Sequence, residues 1–197
     1  MEVFEAIRGR RSVRAFLPDP VPQGDLERIL DAARYAPTAG NVQPWKFLLV
    51  REAKNKAGLK EAVHGFLWGK IAGMELTEAQ KAELRKQYHD FVEGVFVAPV
   101  WVLVFVEESQ YPELVGYDGA GAVQNVMLAA HALGYGSSWQ TTIFSEALVQ
   151  GYFTVPDHYR FICAVPVGRP ADQPEMPTKK DLCTCVWEER FPGSQDT

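Results

Sequence analysis

Hydrophobic residues recur three and four positions apart near the start of the chain, which is the spacing of one face of an α-helix. Val3, Phe4 and Ile7 predict a short first helix in this way. A second amphipathic helix is predicted over residues 26–33, and it ends before Pro37 because proline cannot continue a helix.

Two longer helical stretches follow in the middle of the chain. Residues 54–76 are predicted to be helical with interruptions, because four glycines punctuate that stretch. Thr77 and Gln80 have the spacing of a capping box, so we expect another helix to begin there and to extend to about Val95.

A strongly hydrophobic helix is predicted from Asp118, as its N-terminal cap, to Leu133, with Gly134 as its stop. Its apolar residues lie on almost every face, which is typical of a helix that is buried on several sides. Its small residues permit close backbone approach, so we expect it at the centre of the domain or at a subunit interface. Ser145 is predicted to open a short helix after it.

Three hydrophobic stretches predict buried β-strands, over residues 46–50, 100–106 and 160–167. The second is nearly all apolar and rich in valine, so we expect it in the middle of the sheet. A further short strand is expected over residues 185–187. Because helices and strands are mixed without strict alternation, the pattern predicts an α+β fold, in one domain that spans all 197 residues.

The composition narrows the class of protein. A net charge of −5 argues against a nucleic-acid-binding protein, whose surface is usually basic. The longest apolar stretch, residues 95–106, contains Pro99 and is too short to cross a bilayer. No signal peptide is recognisable at the start of the chain. We therefore expect a cytoplasmic protein that binds neither nucleic acid nor membrane.

The sequence gives little reason to expect a metal or a disulfide. Its three cysteines do not suggest a disulfide framework and are expected to be reduced thiols. Cys183 and Cys185 form a C-x-C pair that offers too few ligands for a zinc site. The four histidines lack metal-ligand spacing, so each is expected at the surface or hydrogen-bonded in the core, and no metal is predicted.

The segment RGRRSVR, residues 8–14, places four arginines close together in an acidic protein. In an extended conformation Arg10, Ser12 and Arg14 point to one side, and in a helix Arg10 and Arg14 still share a face. Guanidinium groups match phosphate oxygens with paired hydrogen bonds, so the cluster indicates a site for the phosphate of a small ligand. The alternative is a solvated basic face. No phosphate-binding loop or nucleophile motif identifies the ligand.

Four segments together resemble the nitroreductase family, a family of FMN-dependent and usually homodimeric flavoenzymes. The resemblance covers roughly residues 2–170, and its segments, in the order seen in that family, are RRSVRAF, APTAGNVQPWKF, DGAGAVQNVMLAAHALGYGSSW and PVGRP. It implies a nitroreductase-like α+β fold, with a central mixed or antiparallel sheet flanked by helices. It also implies an intertwined homodimer with FMN as cofactor.

The resemblance implies a role for each residue of the arginine segment. Arg10, Ser12 and Arg14 would hold the FMN phosphate and ribityl chain, with Arg11 beside the phosphate. Arg14 would also lie near the flavin and stabilise its reduced, anionic form electrostatically.

Further cofactor contacts are implied elsewhere in the chain. In the family, the loop that matches residues 37–44 contacts the flavin across the dimer interface. The segment after the interface helix covers one face of the flavin ring, and the turn after the third strand reaches the phosphate. The positions that carry over are Thr38, Asn41 and Gln43 in the loop, Ser138, Trp139 and Gln140 at the ring, and Gly168 and Arg169 at the phosphate.

The implied chemistry belongs to the cofactor, and no protein nucleophile is expected. Hydride would pass from NADH or NADPH through the flavin to a nitroaromatic, a quinone or a similar small molecule, with ping-pong kinetics. Phe66 and Trp68, in a glycine-punctuated segment, are expected to border the acceptor pocket, with ordinary packing as the alternative.

Other reactions on the same fold stay open. They are dehalogenation, azoline dehydrogenation and flavin cleavage, because a fold alone does not fix a reaction. A protein that binds a flavin or a phosphate ligand without turnover is the alternative from another class.

Overall fold

A four-stranded antiparallel sheet lies between two groups of helices. The structure is a computed structural model that describes residues 1–191. The strands, in the spatial order β1-β2-β4-β3, are β1 (Trp45–Val50), β2 (Val100–Glu107), β3 (Gly136–Ser137) and β4 (Tyr159–Gly168). The predicted α+β class is confirmed. The two-residue strand β3 was not predicted, because two residues show no periodicity.

Within residues 1–191, six α-helices surround the sheet, close to the positions that the sequence predicts. They are α1 (Val3–Gly9), α2 (Gln23–Ala33), α3 (Ala53–Ala72), α4 (Glu78–Val95), α5 (Val115–Ala132) and α6 (Glu146–Phe153). Helix α3 is continuous, so the expected interruptions were wrong. Its buried residues Leu59, Val63, Leu67 and Ile71 recur every four positions, and their packing outweighs the low helix propensity of glycine.

Strand β2 lies in the middle of the sheet, as predicted, and divides the core in two. Its odd-numbered residues from Trp101 to Phe105 pack in a cluster with residues of α3, α4 and α6. Its even-numbered residues from Val100 to Val104 pack in a second cluster with residues of α2 and α5. The alternation of side chains along a strand therefore gives each face its own layer of helices.

Helix α5 is buried on several sides, as its composition predicts. It packs against α2 and against all four strands. Its backbone approaches the sheet closely at Gly119, where an added Cβ would lie 2.7 Å from Val106 Cγ1 and 2.8 Å from Ile162 Cγ1. No helix among residues 1–191 is both long and apolar enough to span a membrane.

Two of the three predicted helix caps are confirmed. The Thr77 side chain accepts a hydrogen bond from the Gln80 N–H, and Ser145 accepts one from the Leu148 N–H. The assignment of Asp118 as a cap was wrong, because α5 begins three residues earlier.

The strand expected over residues 185–187 was also wrong. A short 3₁₀ helix, Leu182–Thr184, and a turn occupy this region. Its residues are exposed and pair with no strand of the sheet among residues 1–191. The local alternation of side chains therefore had no neighbouring strand to stabilise it.

Candidate functional site

The arginine segment leaves α1 as extended backbone and runs beside the sheet. The Val13 N–H donates a hydrogen bond of 3.0 Å to the Ser137 carbonyl, and Ser12 forms a parallel bridge with the same residue. This pairing turns Val13 into the core and leaves Arg14 exposed. The extended alternative for this segment is therefore the one that the structure adopts.

Arg10, Ser12 and Arg14 line one cavity of about 640 Å³. Residues of α1 and of the arginine segment form one wall, and the chain after β4 forms the other. The residues contributed by that later segment are Pro174, Glu175, Met176, Pro177 and Lys179. The sequence did not indicate this second wall, because a proline-rich segment without periodicity carries no sign of where it packs. Lys179 adds a further positive charge to the cavity, which we call the arginine pocket.

Arg11 is held by the protein itself. Its Nη1 donates to the carbonyl oxygens of Arg8, Gly9 and Arg10 at 2.7, 2.8 and 3.0 Å. These carbonyls close the C-terminal end of α1, where a positive charge is favourable. Arg11 therefore lines the arginine pocket with a guanidinium group that is already hydrogen-bonded.

The guanidinium group of Arg10 differs from that of Arg11 in its hydrogen bonding. Its Nη1 is buried and has no hydrogen-bond partner among the described residues. Burial, and then the neighbouring Arg11, lower the pKa of the Arg10 guanidinium. A buried donor without a partner costs free energy, and an anion that reached this nitrogen would remove that cost. The hydroxyl of Ser12 and the guanidinium of Arg14 line the same cavity, so the donor set fits a phosphate group.

A smaller cavity of about 270 Å³ adjoins the arginine pocket and shares Arg11 with it. His131 and Tyr135 line this second cavity. Burial, and then the charges of Arg10 and Arg11, lower the pKa of His131. The imidazole is therefore neutral near pH 7, since its ordinary pKa is already about 6.5.

The segment after β3 contains two buried polar side chains that form a hydrogen bond with each other. Gln140 Nε2 donates to Ser138 Oγ at 2.9 Å, and both residues are buried. Trp139 between them is 38% exposed. Of the three predicted ring contacts, Trp139 is thus the one with an accessible side chain.

Gly168 and Arg169 occupy different environments. Gly168 is buried, and an added Cβ would lie 2.5 Å from Pro99 Cδ, so this glycine is required for close packing. Arg169 is exposed, with its guanidinium carbon 6.0 Å from the ring centroid of Tyr135. Neither residue lines the arginine pocket.

The predicted flavin-contacting loop is a strained turn. Asn41 and Gln43 have φ values of 57° and 52°, in the left-handed region that few side chains adopt. The Gln43 N–H donates to Thr38 Oγ1 at 3.2 Å, and Gln43 Nε2 donates to Asn41 Oδ1 at 3.2 Å. Such strain is often found at binding sites. Both Asn41 and Gln43 are exposed.

The loop and the arginine pocket lie at opposite ends of α5. The buried carboxylate of Asp118 accepts hydrogen bonds of 3.3 and 3.4 Å from the Ala39 N–H and so ties the loop to the first turn of α5. His131 in the last turn lies against Gly9, beside the arginine segment. Thirteen residues of helix separate these two positions, or about 20 Å. One chain therefore does not bring the two predicted sets of cofactor contacts together.

Phe66 and Trp68 are half-buried and pack against the core cluster on the α3 side of the sheet. Neither lines the arginine pocket. Their expected role at the acceptor pocket stays a prediction.

Residues 7–169 match the model of the nitroreductase family. The chain is 31% identical over 179 residues to a candidate NADH dehydrogenase/NAD(P)H nitroreductase of Methanothermobacter thermautotrophicus. That alignment covers 88% of this chain and 80% of the relative.

Two solved structures with the same fold contain FMN. One is a candidate nitroreductase from Desulfovibrio desulfuricans in complex with FMN, with a TM-score of 0.70, 28% identity, and coverage of 98% of this chain and 99% of that one. The other is oxidised iodotyrosine deiodinase bound to FMN and 3-iodo-L-tyrosine, with a TM-score of 0.76 and 25% identity. The alignment covers 96% of this chain and 100% of that one. Proteins similar to this chain thus differ in the reaction they are named for.

Proposed function

The chain belongs to the nitroreductase family, and we propose that it is an FMN-dependent oxidoreductase that transfers hydride from NADH or NADPH to a small-molecule acceptor. The observations that carry this proposal are the donor set of Arg10, Ser12 and Arg14 around one cavity, and the buried Nη1 of Arg10, which has no partner among residues 1–191. The FMN in two similar structures supports the identity of the cofactor.

The arginine pocket would hold the cofactor by its phosphate. Arg10 and Arg14 would donate charge-assisted hydrogen bonds to the phosphate oxygens, and the Ser12 hydroxyl would donate another. Each charged contact contributes about 1.5–3 kcal/mol. Arg11 keeps the end of α1 in place beside them, and we propose that its contribution is mainly this positioning.

FMN, when bound, supplies hydride acceptance from a reduced nicotinamide and hydride donation to a second substrate. The protein's own groups would hold the cofactor and stabilise its negative charge. The exposed Arg14 guanidinium would stabilise negative charge on the bound cofactor, and the accessible face of Trp139 offers an apolar surface for a ring. We expect ping-pong kinetics, in which the nicotinamide and the acceptor use the same site in turn.

In this proposal a second copy of the chain completes the site. The strained loop is about 20 Å from the arginine pocket along α5, so Thr38, Asn41 and Gln43 would serve the cofactor of the partner. Helix α1 supports this assembly, because Phe4 is 68% exposed and Ile7 is 52% exposed on its hydrophobic side. An apolar face without a cover is typical of an interface.

Reductive dehalogenation is the second candidate reaction. It is favoured by the similarity to iodotyrosine deiodinase, whose structure contains FMN and a halogenated aromatic amino acid. The use of NADH or NADPH is supported by the name of the Methanothermobacter relative.

Steady-state turnover with alternative acceptors tests the proposal. FMN-loaded protein would be assayed with NADH and NADPH against a nitrobenzoate, a benzoquinone and 3-iodotyrosine. We expect nucleotide oxidation that depends on the nitroaromatic or the quinone, with the parallel double-reciprocal lines of a ping-pong mechanism. Iodide release without nitro or quinone reduction would favour dehalogenation. A loaded protein that turns over none of these acceptors would contradict the proposed activity.

A further inference from the structure

Helices α3 and α4 bring together three side chains that can bind a metal. His64 lies on α3, and His89 and Glu93 lie on α4. One ligand atom from each residue lies within 4.8 Å of the other two. The sequence does not show this cluster, because the packing of two separate helices creates it.

We propose that His64, His89 and Glu93 bind a divalent transition-metal ion, best matched by Zn²⁺, with water completing the coordination. Two imidazole nitrogens and one carboxylate oxygen form a donor set that Zn²⁺ commonly takes, with the fourth position open. This site is separate from the arginine pocket, so it does not depend on the proposed oxidoreductase activity.

The distance between His64 and Glu93 already suits such an ion. His64 Nε2 lies 3.3 Å from Glu93 Oε1. In a tetrahedral zinc site with bonds of about 2.0–2.1 Å, two ligand atoms lie about 3.3 Å apart. The separation of these two atoms therefore matches that of two ligands of one ion.

His89 can complete the site by a small side-chain movement. It precedes Glu93 by four residues on α4, so both side chains lie on one face of the helix. Its side chain is 55% exposed, and its ring stacks on that of His64 with centroids 5.3 Å apart. Asp90 Oδ1 lies 3.4 Å from His89 Nδ1 and can accept the hydrogen of that nitrogen, which leaves Nε2 for the metal.

The surrounding charges leave the carboxylate available. Lys60 Nζ binds Glu93 Oε2 at 2.8 Å, so Oε1 stays free to face the imidazole of His64. Lys60 would remain on the outer oxygen of a metal-bound carboxylate, as outer partners of ligands commonly do.

Zinc binding would link α3 to α4 and raise the thermal midpoint of unfolding, because a ligand that binds only the folded state stabilises it. The test uses FMN-loaded protein without an affinity tag. One sample is dialysed against micromolar Zn²⁺ and then against zinc-free buffer before atomic absorption, and a metal-free sample is titrated with Zn²⁺ by isothermal titration calorimetry. We expect one Zn²⁺ per chain in the wild type. His89→Ala and Glu93→Gln should each bind Zn²⁺ more than about tenfold more weakly.

Two controls make the test specific. His158→Ala removes an exposed histidine outside the cluster and should leave zinc binding unchanged. Cys183→Ser/Cys185→Ser removes the exposed thiols and should also retain Zn²⁺. Wild-type protein that retains no Zn²⁺, cluster variants that bind it as tightly as the wild type, or loss of binding in the cysteine variant would each overturn the proposal.

Discussion

Arg10 and Arg11 are neighbours in the chain, yet their guanidinium groups have different partners. Arg11 donates to three carbonyl oxygens at the end of α1, whereas the buried Nη1 of Arg10 has no partner among residues 1–191. The difference follows from where α1 ends, which decides which of the two side chains folds back over the helix. Arg10 is therefore the residue at which ligand binding should be most sensitive to substitution.

Replacing Arg10 by alanine should weaken FMN binding about tenfold to a hundredfold, the loss expected for a charged hydrogen bond. Arg11→Ala should mainly lower the free energy of unfolding, because it leaves the carbonyls of α1 without their donor. Fluorescence titration of flavin-free protein with FMN measures the first effect, and urea denaturation the second. Arg28→Ala, whose side chain is 68% exposed on α2, is the control. Unchanged FMN affinity in Arg10→Ala would contradict the assignment.

His131 should make the flavin-free protein sensitive to acid. Burial, and then Arg10 and Arg11, lower its pKa in the folded state, so the unfolded state binds the proton first as the pH falls through about 6.5. Stability should therefore decrease below that pH, until the lowered pKa of the folded state is passed.

The measurement for His131 is the thermal midpoint at about pH 7 and about pH 5, for the wild type and for His131→Gln. His131→Gln should lose less stability than the wild type between the two pH values, because it has no imidazole to protonate. An equal loss in both proteins would show that His131 is not the group responsible.

Among the helices, α5 can pack closely against the sheet only because one of its residues at the contact has no side chain. A Cβ at Gly119 would lie 2.7 Å from Val106, whereas one at Gly116 in the same helix would have nothing within 4 Å. Gly119→Ala should destabilise the protein by about 1–3 kcal/mol through overpacking. Gly116→Ala should be neutral or stabilise it by up to about 1 kcal/mol. Urea denaturation compares the two, and equal effects would contradict the close approach of α5 to the sheet.

Helix ends show what local sequence can and cannot predict. Thr77 was identified as a cap because its partner, Gln80, is only three residues away. Asp118 was misassigned because its partner is the backbone of Ala39, far away in the chain, and because its carboxylate is buried between the loop and α5. Elements with local partners could be predicted, whereas a role fixed by tertiary contact could not.

At the scale of the whole molecule, the hydrophobic side of α1 should form part of a dimer interface. Phe4 is 68% exposed there. Phe4→Asp should shift the protein toward monomer in sedimentation velocity and weaken FMN binding as well, since the loop would no longer reach the cofactor of the partner. Ala79→Asp, at an exposed position of α4, introduces the same single negative charge and is the control. A wild-type protein that is monomeric when loaded with FMN would contradict the shared site.

The candidate site could be predicted only in part. The convergence of Arg10 and Arg14 could be predicted because they share a side in an extended segment and in a helix alike. The extended conformation itself depends on the pairing of this segment with Ser137. The wall that contains Lys179 and the separation of the loop from the pocket depend on how distant segments pack. Those features have no local pattern in the sequence.

The proposed activity requires that this chain hold FMN and reduce it with a nicotinamide. The most direct measurement is the visible absorption spectrum of the purified protein, recorded before and after NADH or NADPH is added without oxygen. We expect flavin bands that bleach with at least one nucleotide and that are weak in Arg10→Ala. Flavin bands that persist with both nucleotides would contradict the proposed electron donor. A colourless protein that cannot be loaded with FMN would contradict the cofactor assignment itself.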